Sequence, residues 1–281
     1  MKNWIRISID PKDEQQKEML IAELSEIGFD GFQEEEDHLL AFAEEGGVKD
    51  DELSCILSKH HITCSRKIIA DENWNKKWEK EFRPVRVGSF CGIRADFHEP
   101  IEQVKYELII NPKMSFGTGH HPSTCLMIEA MERLNFKGKK VVDFGTGTGI
   151  LAILSEKLGA IDVVAVDSDS WSIENALENL LRNHSHYITI LQLNSMQSGL
   201  EGMADIILAN INKDVIINQL QHFQQHLVED GVLICSGLLI GDKEDIRRRG
   251  GELHLSVESV IEKENWICLM LKKKSKSTAF V

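Results

Sequence analysis

Three glycines and two carboxylates carry the chemistry most directly readable in this chain. The apolar run Val141-Val142-Asp143-Phe144 leads into Gly145-Thr146-Gly147-Thr148-Gly149, and a helical pattern follows from Ile150. A glycine turn between strand and helix brings backbone N–H groups close to a ligand, which requires that no Cβ intrude. Taken alone the turn is ambiguous, because dinucleotide enzymes place G-x-G-x-x-G at the same junction. Here the third glycine comes one residue early, and Ile150 stands where the dinucleotide pattern has Gly or Ala. Asp143, two residues before the first glycine, would attract the ammonium of a methionine moiety and oppose a pyrophosphate. The strand Val163-Val164-Ala165-Val166-Asp167 ends 22 residues after Gly145, where a carboxylate accepts both hydroxyls of a ribose. The competing role for Asp167 is a helix cap, which Ser168, Asp169 or Ser170 would fill equally well. Turn and acid together predict a site for an aminoacyl nucleoside, S-adenosylmethionine, contacted by Asp143, Gly145, Gly147 and Asp167.

The elements that must position these residues alternate from residue 139 onward. Strands are expected at 140–144, 162–167, 188–193, 205–209 and 232–236, with helices at 149–158, 171–183 and 214–227 between them. That order gives an α/β fold with a mostly parallel sheet covered on both faces, and the last strands, at 253–260 and 266–271, fit an antiparallel edge pair. Upstream, Pro122 suits the first turn of a helix over 123–134. The first 69 residues read differently, as strand 4–9, helix 13–27 closed by Gly28, strands 29–33 and 39–42, helix 50–59 and strand 63–69. This β-α-β-β-α-β order suggests a small ferredoxin-like α+β domain. The expected division is 1–68 for that domain, 69–82 for a helical linker carrying Trp74 and Trp78, 83–272 for the α/β domain and 273–281 for a disordered basic tail.

Charge narrows the partners. The chain carries −13 overall, and residues 1–65 hold 6 Lys and Arg against 16 Asp and Glu, so the acidity is concentrated in the first domain. Nucleic-acid binding rests on clustered basic residues, so no direct grip on nucleic acid is expected, and a basic protein or a small molecule is the fitting partner class. The alternative for the acidic face is plain solvation. The six cysteines contain no C-x-x-C pair, which argues against a zinc knuckle or a disulfide framework. No signal-like segment begins the chain and no apolar run approaches a membrane span, so a cytoplasmic protein is expected; it is expected to be a monomer. His120 and His121 are adjacent, point apart and lack i, i+4 spacing, so loop hydrogen bonding is expected there and no metal site.

Beyond the glycine turn, Phe116-Gly117-Thr118-Gly119-His120-His121-Pro122-Ser123-Thr124 and Ala204-Asp205-Ile206-Ile207-Leu208-Ala209-Asn210-Ile211 stand out. With Trp74, Trp78 and Phe144-Gly145-Thr146-Gly147-Thr148-Gly149-Ile150, they resemble the bacterial ribosomal protein L11 methyltransferase family over nearly the whole chain. The resemblance implies a class I, Rossmann-like methyltransferase domain that moves methyl groups from S-adenosylmethionine to lysine and N-terminal amines of ribosomal protein L11, and a small N-terminal domain that recognises this substrate. It places cofactor contacts on Thr124, Gly145, Asp167 and Asn210. Phe116 is added to that site, and Asn210, through its side chain or neighbouring carbonyls, is expected as the catalytic residue that orients the amine lone pair, with no dedicated strong base. Two departures touch the substrate side: Asn111-Pro112-Lys113 replaces Asp-Pro-Gly, and Asn212 replaces a Leu-like residue. From the residues alone Thr124 also reads as a helix-start residue and Asn210 as a turn residue at a strand end. Competing readings are a lysine methyltransferase for another cytoplasmic protein, a silent cofactor-binding assembly module, and a nicotinamide dehydrogenase, the last opposed by Ile150 and Asp143.

Overall fold

The computed structural model describes residues 4–34, 38–69, 83–111, 115–196 and 202–275. Its contacts divide the chain into two units, Met1–Phe82 and Arg83–Val281.

In the first unit, β1 (Trp4–Ile9), β2 (Gly31–Glu34), β3 (Leu39–Glu44) and β4 (Cys64–Ile69) form one sheet in the order β2-β3-β1-β4, with α1 (Glu14–Glu26) and α2 (Asp50–His60) between strands. Neighbouring strands are antiparallel throughout. The period-2 alternation of β1 buries Ile5, Ile7 and Ile9 in a core with Leu20 and Leu24 of α1 and Leu53 and Ile56 of α2. Asp13 caps α1 by accepting from the Gln16 N–H at 2.7 Å, and Gly28 takes the left-handed step at φ +102° after the cap residue Ile27. Ile69, expected to open the linker, is the last residue of β4, and the rest of that helix, with Trp74 and Trp78, lies outside the described residues.

The second unit is built on a seven-stranded sheet in the order β10-β9-β8-β11-β12-β14-β13. β8 (Lys140–Phe144), β9 (Asp162–Asp167), β10 (Ile188–Gln192), β11 (Ala204–Asn210) and β12 (Leu227–Leu239) are parallel. β14 (Trp266–Lys273) runs antiparallel to both β12 and β13 (Leu255–Lys263), the edge arrangement the sequence predicts. Alternation along the strands fills two cores. Val141, Ile206, Leu208 and Ile234 face one in which α3 (Pro122–Glu132), α4 (Ile150–Lys157) and α5 (Ser170–Arg182) bury their apolar sides. Val142, Phe144, Ile207 and Leu233 face the other, with α6 (Lys213–His226) and α7 (Lys243–Glu252).

Three features depart from the sequence reading. A small sheet of β5 (Val85–Val87), β6 (Cys91–Arg94) and β7 (Tyr106–Ile109) precedes α3. All four residues of β6 are buried, so it shows no alternation to read. Helix α7 is polar, ends in glycines and fully buries only Ile246 among its apolar residues, which leaves almost no periodic signal. Lys273, expected to open the tail, is the last residue of β14, and its buried ammonium donates to the Leu227 carbonyl at 2.6 Å. Residues 276–281 lie outside the described residues.

Candidate active site

β8, β9 and β11 end side by side at Phe144, Asp167 and Asn210, and the strand order reverses between β8 and β11. Open α/β sheets form a crevice at such a point, outside the carboxyl ends of the strands. A cavity of about 590 Å³ lies there, within the range of small-molecule sites. Phe116, Gly145, Gly147, Asp167 and Asn210 all line it, so five of the seven expected site residues meet in one place.

The glycine turn owes its shape to left-handed backbone at Gly145 (φ +76°), Gly147 (φ +54°) and Gly149 (φ +81°). A Cβ on Gly147 would lie 2.3 Å from the Phe116 carbonyl oxygen. The segment 115–121 therefore crosses directly over the turn. The turn's N–H groups are already committed within the protein: Gly145 and Thr146 donate to the Val166 carbonyl, Gly147 to Asp167 Oδ2, Thr148 to the Phe116 carbonyl and Gly149 to the Thr146 carbonyl. The sequence reading pointed these N–H groups at a ligand; the glycines instead provide close approach. A pyrophosphate would find no donor among residues 145–149, which weighs against a dinucleotide.

Two residues expected at the cofactor do not line the cavity. Asp143 is fully buried, because its neighbours Val142 and Phe144 point to one face of the sheet and it points to the other. Its Oδ2 accepts from Thr146 Oγ1 at 2.6 Å and from the Ala152 N–H at 3.2 Å, tying β8 to the turn and to α4. Burial pushes its carboxyl up to about 7 against the pull of those donors, and the charge of Asp167 adds to the rise. Unfolded, the same group titrates near 3.8. Between these values the folded chain keeps a proton that the unfolded chain has released, so this group's contribution to stability falls as pH rises toward 7 and stays level above it. The unfolding free energy of Asp143→Asn, compared with wild type in urea titrations at several pH values, should shift in the variant's favour across that window. A difference independent of pH would contradict this placement. Thr124 is also fully buried, and its Oγ1 accepts from Asn210 Nδ2 at 3.3 Å. It thus orients a cavity residue from behind.

Asn210 has the most telling environment. With Nδ2 committed to Thr124, its Oδ1 is buried without a partner. A buried amide oxygen left unsatisfied is costly unless a ligand supplies the donor. Asp167 is held by backbone donors on both oxygens, from Gly147 and from Asp169 at 3.1 Å, which fixes the carboxylate at the cavity edge.

The two histidines do diverge. His121 Nδ1 accepts from the Ser123 N–H and caps α3, while His120 bonds Thr118 Oγ1 and the Arg83 carbonyl. Asn111 exchanges hydrogen bonds with Asp96, accepting from its N–H and donating to its carboxylate at 2.7 Å. An aspartate at 111 would set two carboxylates against each other, so the asparagine amide suits this contact. Asn212 caps α6 by accepting from the Val215 N–H at 3.0 Å.

Sequence reasoning missed Trp266 and Gly237, which also line the cavity. Trp266 lies opposite Leu239 across the β12–β14 pair and packs edge-on against His121 at 4.4 Å, a long-range arrangement with no local signal. Gly237 had a signal, an isolated glycine in an apolar strand. Its Cβ would lie 2.4 Å from the Ile211 carbonyl oxygen.

Residues 8–274 match the family model for ribosomal protein L11 methyltransferase (PrmA). The chain is 34% identical over 269 residues to the ribosomal protein L11 methyltransferase of Phocaeicola vulgatus, covering 93% of this chain and 95% of that one. It is 35% identical over 258 residues to that of Porphyromonas gingivalis, covering 90% and 89%. Among solved structures, the ribosomal protein L11 methylase of Lactobacillus delbrueckii subsp. bulgaricus superposes with a TM-score of 0.64 at 28% identity, over 69% of this chain and all of that one. The chain belongs to the ribosomal protein L11 methyltransferase family.

Proposed function

We propose that this enzyme transfers methyl groups from S-adenosylmethionine to amino groups of ribosomal protein L11, on lysine side chains and the N-terminal amine. The observation that carries the reading is the unpartnered Asn210 Oδ1 at a cavity that also presents the Asp167 carboxylate and the glycine turn. These residues fit the cofactor. The turn admits it without Cβ contact, Asp167 accepts its ribose hydroxyls, and the cavity size suits an aminoacyl nucleoside.

When bound, the cofactor supplies a methyl group on a sulfonium, already a good leaving group. The chain's task is to position an amine and keep the site dry. Asn210 Oδ1 accepts one N–H of the incoming amine and so aims its lone pair, while Thr124 holds the amide from behind. Apolar walls from Phe144, Ile211, Val215 and Trp266 exclude water. A lysine begins near pKa ~10.4 and an α-amine near ~8, and desolvation lowers both. Among the described lining residues the titratable side chains are His121 and Asp167, and each already accepts backbone N–H groups. No dedicated base is therefore assigned, and the amine sheds its proton to water as it enters. The acidic N-terminal unit is assigned as the docking surface for the basic substrate.

A pair of variants tests the division of labour. Asp167→Ala should raise the KM for S-adenosylmethionine by roughly 10- to 100-fold, the worth of one charged hydrogen bond or more. Asn210→Ala should lower kcat by a comparable factor with a smaller change in that KM. Unchanged turnover in Asn210→Ala would remove its assigned role.

A further inference from the structure

Segment 115–121 brings Phe116 to the cavity, where its side chain is 53% exposed and packs edge-on against the His121 ring at 5.2 Å. Its backbone is held from one side. Thr148, fully buried, donates its N–H to the Phe116 carbonyl at 3.0 Å and its Oγ1 proton to the Gly117 carbonyl at 2.6 Å. Gly117 allows this grip, since a Cβ there would lie 2.9 Å from Thr148 Oγ1.

Thr148 is in turn held by α5. The fully buried Asn179 donates to the Thr148 carbonyl at 3.0 Å and to Asn175 Oδ1 at 2.8 Å. Its own Oδ1 accepts from the Asn111 N–H at 3.0 Å. One amide on α5 thus grips the chain on both sides of Phe116: directly at Asn111, and through Thr148 at Phe116 and Gly117. Four residues on, Asn183 bonds both backbone groups of Ile109 and does not reach Thr148. Neither asparagine lines the cavity. Buried side-chain amides with backbone partners on both polar atoms fix geometry strongly, because a lost partner leaves polar groups unsatisfied.

We infer that Asn179 is a positioning residue for cofactor binding, acting through Thr148 to hold Phe116 over the cavity. The inference rests on the cofactor reading above. It goes beyond that reading by assigning affinity to a residue that touches no ligand.

The test compares Asn179→Ala with Asn183→Ala in the full chain, using S-adenosylhomocysteine binding by calorimetry and backbone amide exchange, both well below the melting temperatures. Both variants should lose stability. Asn179→Ala should bind S-adenosylhomocysteine about tenfold more weakly, the effect of one buried hydrogen bond, and Thr148 should exchange its amide faster. Asn183→Ala should bind like wild type. In a Phe116→Ala background, Asn179→Ala should weaken binding little further, because the two act through one contact. If Asn179→Ala does not fold, Thr148→Val cuts the same fastening at Gly117 and should weaken binding, with Thr148→Ser restoring it. Wild-type affinity in Asn179→Ala, or equal losses in both asparagine variants, would overturn the inference. Failure of wild type to bind would overturn the cofactor reading itself, while the exchange of Thr148 would still report on the fastening.

Discussion

Gly147→Ala is expected to reduce methyl transfer by about a hundredfold and to weaken S-adenosylmethionine binding with it. Left-handed backbone costs a residue bearing a Cβ about 1–2 kcal/mol. The larger effect is steric, since the new Cβ would lie 2.3 Å from the Phe116 carbonyl oxygen, and a backbone atom cannot turn aside as a side chain can. Moving it breaks the Thr148 N–H bond to Phe116, worth about another 1 kcal/mol. Near 3 kcal/mol in all, expressed in the binding geometry, is about a hundredfold. Gly145→Ala offers the contrast. Its Cβ would also come to 2.3 Å, but from Ile211 Cγ2, a side-chain methyl whose displacement breaks no backbone hydrogen bond, so the smaller loss is expected there. Calorimetric cofactor titration and kcat/KM check both variants, and a Gly147→Ala enzyme near wild-type activity would refute the crossing of segment 115–121 over the turn.

Removal of residues 1–65 should abolish efficient methylation of ribosomal protein L11 while leaving cofactor affinity unchanged. The cavity is lined by residues from Phe116 onward, and the second unit has its own cores. What the deletion removes is an excess of ten negative charges out of a net −13. Opposite charge on a partner raises association rates by roughly 10- to 1,000-fold at low salt, and the gain is screened within a Debye length of ~8 Å at physiological ionic strength. Methylation of the intact substrate should therefore fall steeply with added salt for the full chain and depend weakly on salt for the truncated one. Undiminished methylation by the truncated enzyme would show that the acidic unit is a solvated face and nothing more.

How much of this was readable before the structure depended on whether the determining interactions were local. Gly145, Gly147 and Asp167 were legible because a strand-turn-helix junction and a strand-end acid are defined within a few residues. Phe116, Thr124 and Asn210 came from a family pattern, and the sequence offered Thr124 no more than a place at a helix start. Asp143 was legible as important but misread in kind. Adjacency to the turn suggested adjacency to the ligand, whereas alternation along β8 turns the carboxylate into the opposite core, where it ties the turn to α4. Trp266 was out of reach because only the β12–β14 pairing brings it to the mouth. The small sheet β5-β6-β7 was likewise silent in sequence, with strands of three or four residues, although it supports the site. A Cβ on Gly119 would meet Ile93 of β6 at 2.5 Å, and β7 is bonded to Asn183, the cap residue after α5.

The central claim is tested most directly by incubating the enzyme with labelled S-adenosylmethionine and unmethylated ribosomal protein L11, then mapping modified peptides by mass spectrometry. The account predicts label on lysine side chains and the N-terminal amine of that protein, accumulating far more slowly with Asn210→Ala. No label on ribosomal protein L11 from an enzyme that binds the cofactor would contradict it.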